Sequence, residues 1–161
     1  MDWITEKQVM RAVKDGIVLS EEAGIDAAID ITVLHWQQLC RATKGELLEL
    51  DKDYLKEGLC GLCVRKKLKA SSCYFCLLAK KVGECEQNIN NPWYRACTEF
   101  WQIVGEHAFG TVKEFRVHAR KMRDIVKEIQ SERRPQKKRA KTREQLRIEM
   151  RAIEEQLRES S

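Results

Sequence analysis

Five cysteines between residues 60 and 85 constrain this chain more than any other feature of it. They fall as Cys60-Gly-Leu-Cys63, then Cys73-Tyr-Phe-Cys76 after nine intervening residues, then Cys85 after eight more. Two residues between paired thiols let both sulfurs turn toward one ion. Four thiolates complete the tetrahedron that zinc prefers, at about 2.3 Å per bond. Gly61 would let the backbone turn tightly beside such a site, and Arg65, Lys66, Lys67 and Lys69 would offset part of its negative charge. A catalytic zinc keeps an open position and usually has histidine ligands. No histidine falls inside the cluster, so the expectation is one closed, structural zinc ion. One sulfur is surplus. Cys60 and Cys63 are the first choice as ligands, and Cys73, Cys76 and Cys85 compete for the other two places, with Cys76 ranked first. Three other readings stay open: ordinary buried thiols, a redox CxxC pair without the usual βαβ surroundings, and an iron–sulfur cluster on the same ligands.

The rest of the chain reads as helix. Of 161 residues only Pro92 and Pro135 are prolines, and Glu, Lys, Arg and Leu are abundant. Thr5 and Gln8 have capping-box spacing for a short helix ending near Gly16. Ser20, followed by Glu21 and Glu22, starts a longer helix. Its stripe of Ile25, Ala28, Ile29, Thr32, Val33, Trp36, Leu39 and Cys40 recurs at three and four residues, and Gly45 is expected to stop it. Residues 46–58 read as one or two short turns. Pro92-Trp93 suits the entry to a helix running toward Gly110. Another begins near Thr111 with Phe115, Ala119, Met122, Val126 and Ile129 on one face. Pro135 and the charge run around it predict a linker. A last helix follows, with Leu146, Met150, Ile153 and Leu157 at 4-3-4 spacing. The expected fold class is all-α: a small helical domain over residues 1–131, stapled by the zinc site, then a basic linker and C-terminal helix over 132–161.

Charge divides the chain. Residues 1–59 carry 7 Lys and Arg against 12 Asp and Glu, and residues 60–161 carry 23 against 13, so the net charges are −5 and +10. Arg133, Arg134, Lys137, Lys138, Arg139, Lys141 and Arg143 follow one another with no acid between them. Such a run either grips phosphates by releasing their counterions or is a solvated linker, and the two readings weigh about equally. No aromatic is interleaved in it, so base stacking by this segment is not expected. Cys40 and Cys97 read as buried thiols. His35, His107 and His118 lack metal spacing and read as structural. No nucleophile–base arrangement or phosphate loop is present, so the chain does not read as an enzyme. Residues 1–10 lack the apolar core of a signal peptide, and no apolar run reaches a membrane span. With seven cysteines, this points to a reducing compartment and to the cytoplasm.

The order of features resembles that of a group of small bacteriophage-encoded proteins. A helix carries His35-Trp36, then come Cys60-Gly-Leu-Cys63, Cys73-Tyr-Phe-Cys76-Leu-Leu, the lone Cys85, and Pro92-Trp93-Tyr94 opening a helix. The likeness spans roughly residues 30–100. Members often have Gly-Cys-Pro at the second element, where this chain has Phe75-Cys76-Leu77. The resemblance implies metal binding, a phage origin and residence in a host cytoplasm, and it implies no reaction. Together these signals predict a zinc-stapled binding protein that engages nucleic acid or a nucleic-acid-bound complex through its basic surface and arm. The alternative is a phage accessory protein that binds and modulates a host protein.

Overall fold

The computed structural model describes the chain except residues 73–75, 86–87, 106–109 and 161, and gives the backbone alone for residues 57 and 135–142. The described residues are helical, with no strand among them: α1 (Glu6–Leu19), α2 (Glu21–Arg41), α3 (Lys44–Leu48), a 3-10 turn at Glu57–Leu59, α4 (Gly61–Leu68), α5 (Leu77–Val82), α6 (Pro92–Val104) and α7 (Val112–Glu159). They divide into two compact units, Met1–Ile129 and Gln130–Ser161.

Local signals set most helix starts in the first unit. Thr5 and Gln8 form the expected capping box at α1. Ser20 ends α1 and accepts from the Ala23 amide at the head of α2. The α1 helix passes Gly16 instead of stopping there. Gly16 and Gly24 serve the close packing of α1 on α2: a Cβ on Gly16 would lie 2.7 Å from the Ala23 oxygen, and one on Gly24 2.8 Å from Ile17 Cγ1. Gly45 is not the stop of α2, which ends at Ala42. Thr43 and Glu46 form a second capping box, and Gly45 sits inside α3. Asn91 caps α6, its side chain accepting from the Trp93 amide, with Pro92 in the first turn. The α6 helix ends at Gly105, short of Gly110.

The core forms where the apolar stripes predict. Ala28, Ile29, Thr32, Val33, Trp36, Leu39 and Cys40 of α2 are buried, as are Phe115, Ala119, Met122, Val126 and Ile129 of α7, and Ile25 is half-buried. Trp3 and Tyr54 meet edge to face at 5.7 Å, Tyr54 lies 6.4 Å from Phe100, and Phe100 lies 6.0 Å from Phe115. His35 is packed between Trp36 and Tyr54, each ring 5.7 Å away. It is fully enclosed, its Nδ1 has no partner, and burial pushes its pKa down to about 3. It is therefore a neutral, structural imidazole at physiological pH. His118 on α7 also has a lowered pKa, chiefly through burial. His107 lies outside the described residues.

The second unit corrects one expectation. Residues 133–143 are helical backbone within α7, not an extended linker. Pro135 removes one backbone donor from a helix, at a cost of about 3 kcal/mol. The good helix formers Arg, Lys, Gln and Ala around it favour the helical state. Among the described residues no helix is long and apolar enough to cross a membrane.

Candidate metal centre

The first cysteine pair is fixed by the helix it opens. Cys60 has extended backbone and is the N-cap of α4, and Cys63 follows in the first turn. Cys60 is buried and Cys63 half-buried. What pins this helix start is Gly61. A Cβ there would collide with the Ala28 carbonyl oxygen of α2 and lie 2.7 Å from Ile31 Cγ2. The Gly61 amide donates to Thr32 Oγ1 at 3.0 Å, and the Thr32 hydroxyl donates to the Ala28 carbonyl at 2.6 Å. A threonine in the middle of α2 thus joins the first cysteine pair to the most buried helix of the protein. Gly61 was expected to permit a tight turn. Its role is close packing, and the one glycine with positive φ among the described residues is Gly83.

The second cysteine element opens a helix in the same way. Cys76 is the N-cap of α5, also extended and half-buried, and Leu78 anchors that helix in the core. Gly83, at φ +81°, ends it. The buried Asn91 side chain then donates to the carbonyls of Val82 and Gly83, at 3.4 and 3.0 Å, holding the segment that leads to Cys85. Sequence reasoning missed Asn91, although an asparagine directly before a helix-opening proline is a recognisable cap.

Cysteine-headed α4 and α5 put amide dipoles next to sulfur. Helix N-termini carry partial positive charge from their unpaired amides. Neither α4 nor α5 has a side-chain cap hydrogen bond of the Ser, Thr or Asn kind. Of the basic residues expected to offset the site, Arg65 is 19% exposed and lies 3.6 Å from Glu21, so its charge is directed to the start of α2. Cys85 is half-buried and close enough to Cys97 that the two thiols interact electrostatically. Burial first, and Cys85 second, push the Cys97 pKa up to about 12. The Cys97 thiol also faces the Leu55 carbonyl at 3.9 Å. Cys97 is thus a protonated packing thiol. Cys40, buried against α7, has a pKa raised by desolvation. Cys73 lies outside the described residues. Among the described residues no three His, Cys, Asp or Glu side chains form a metal-holding group.

The basic run is placed by α7. Arg133 is half-buried, Arg134 and Arg143 are exposed, and Lys137, Lys138, Arg139 and Lys141 occupy helical backbone. At 3.6 residues per turn, positions 133, 134, 137, 138 and 141 fall within one arc of about 140°. An extended linker would have produced no such face. No family model, curated protein or solved structure matches this chain.

Proposed function

We propose that this is a zinc-stapled helical binding protein that grips nucleic acid through the basic face of its last helix. The helical register of the Arg133–Arg143 run carries the reading. It puts five basic positions on one arc along about 12 Å of helix, a spacing suited to a line of phosphates. The metal part rests on the donor set. Cys60 and Cys76 are the N-caps of α4 and α5, Cys63 lies in the first turn of α4, and Cys85 follows a segment tied down by Asn91. Cys73, within the same spacing, supplies the remaining candidate sulfur. No reaction is assigned.

Two measurements test this. Elemental analysis of the purified protein should find one zinc per chain, lost on Cys63→Ser substitution; a folded protein without metal would overturn the staple. Anisotropy titrations with duplex DNA, RNA and single strands should show affinity falling steeply with salt. Replacing Lys137, Lys138 and Lys141 by glutamine should reduce the log–log salt slope by about 2–3 on duplex DNA. Absent or salt-independent binding by the full-length protein would sink the nucleic-acid reading. A stoichiometric protein partner that survives nuclease treatment would favour protein-directed binding instead.

A further inference from the structure

Leu146, Met150, Ile153 and Leu157 are all more than half exposed, and they lie on one side of α7. Their 4-3-4 spacing is that of a coiled-coil seam, with Met150 and Leu157 at a positions and Leu146 and Ile153 at d. We propose that this face pairs with the same face of a second copy of the chain, the two helices running antiparallel.

The flanking charges choose the occupant and its direction. In this register Arg147 and Glu154 occupy e positions, and Glu149 and Gln156 occupy g; Arg147, Glu149 and Glu154 are exposed. A parallel pair sets each g against the following e of the other helix, so Glu149 would face the partner's Glu154 twice, like charge against like. An antiparallel pair sets e against e and g against g. Arg147 then meets the partner's Glu154, and Glu154 meets the partner's Arg147. Glu149 meets the partner's Gln156, a neutral hydrogen-bonding match. The seam closes as well. Leu146 lies level with the partner's Leu157 and Met150 with the partner's Ile153, four layers related by one two-fold axis. An unrelated partner helix would need no such self-complementarity.

A seam of two heptads is short, because isolated helices below about 12–15 residues are marginal in water. Here the seam belongs to a 48-residue helix, so nucleation does not have to accompany association. Upstream, the a and d positions become Arg143, Arg139 and Gln136, which end the apolar seam. The surface is therefore suited to a weak, concentration-dependent dimer.

Sedimentation of the nuclease-treated full-length protein, from micromolar to near-millimolar concentration, tests this separately from metal or nucleic-acid binding. The wild type should show a monomer–dimer equilibrium. Glu154→Arg alone and Arg147→Glu alone should each weaken it by about tenfold, since each places two like-charged pairs across the seam. Mixing the two single variants should restore association, because each supplies what the other lacks. The double variant should also dimerise. Ile153→Asp should abolish dimerisation, and none of these exposed substitutions should change the melting of the first unit. A wild type that is monomeric throughout would overturn the proposal. So would tighter association of Glu154→Arg, which is the signature of a parallel pair, or charge reversals without effect.

Discussion

Replacing Gly61 with alanine should lower stability by about 3 kcal/mol, whereas the same exchange at Gly45 should be neutral or stabilising by up to about 1 kcal/mol. The added atom is identical in the two variants, so the contrast isolates the surroundings. At Gly61 it meets the Ala28 carbonyl and Ile31 of α2, and backbone on both sides must move. That movement also stretches the bond from the Gly61 amide to Thr32. At Gly45 the nearest atom outside its chain neighbours is Thr43 Oγ1, at 3.9 Å. There alanine adds helix propensity inside α3 and removes freedom from the unfolded chain. Urea unfolding of the two variants beside the wild type checks this. Equal midpoints for Gly61→Ala and wild type would show that the α2–α4 approach is looser than described.

Acid should destabilise the protein well above the pH at which ordinary carboxylates titrate. His35 has a folded pKa of about 3 against an ordinary 6.5, because burial excludes its charged form. The unfolded chain binds this proton as pH falls below about 6.5, and the folded protein does not until about 3. Between those limits the unfolded state holds more protons, so stability declines with falling pH, by up to about 1.4 kcal/mol per unit. Above about 6.5 the imidazole is neutral in both states and contributes no slope. His118 acts in the same sense, and a metal held by thiolates, as proposed, would also be released in acid. The informative quantity is therefore the difference between proteins. His35→Phe keeps an aromatic ring against Trp36 and Tyr54, and should flatten the wild-type decline between pH 6.5 and 5 more than His118→Gln does. Parallel stability profiles for His35→Phe and wild type would contradict the neutral, enclosed imidazole.

Much of this architecture is legible from short-range signals. Thr5–Gln8, Ser20 and Pro92 announce helix starts because caps act within one turn, and the stripes of α2 and α7 are buried almost residue for residue. The failures also have physical causes. Gly16, Gly45 and Gly61 look alike in sequence as breakers or turns. In the structure Gly16 and Gly61 are places where helices touch, and Gly45 is a tolerated helical residue. Contact between distant segments leaves no local mark, so the part played by Thr32 could not be read from its neighbours. Self-repulsion and one proline predict a linker at 133–143, but the surrounding Arg, Lys, Gln and Ala are good helix formers, and the segment is helical. In the cysteine cluster, sequence only nominates candidate ligands, and the structure adds how two of them are set: Cys60 and Cys76 each open a helix.

Hydroxyl or amide side chains begin α1, α2, α3, α6 and α7, with Thr5, Ser20, Thr43, Asn91 and Thr111 accepting from nearby amides. Only the two cysteine-headed helices, α4 and α5, lack that covalently built-in start. Their first amides have no side-chain acceptor of that kind, so these two starts rely on packing, of Gly61 against α2 and of Leu78 in the core. The uncapped helix starts therefore lie where their stretch of the chain shares the common core, through Leu59, Leu62, Val64 and Leu78, so loosening it would disturb the packing of α2 as well.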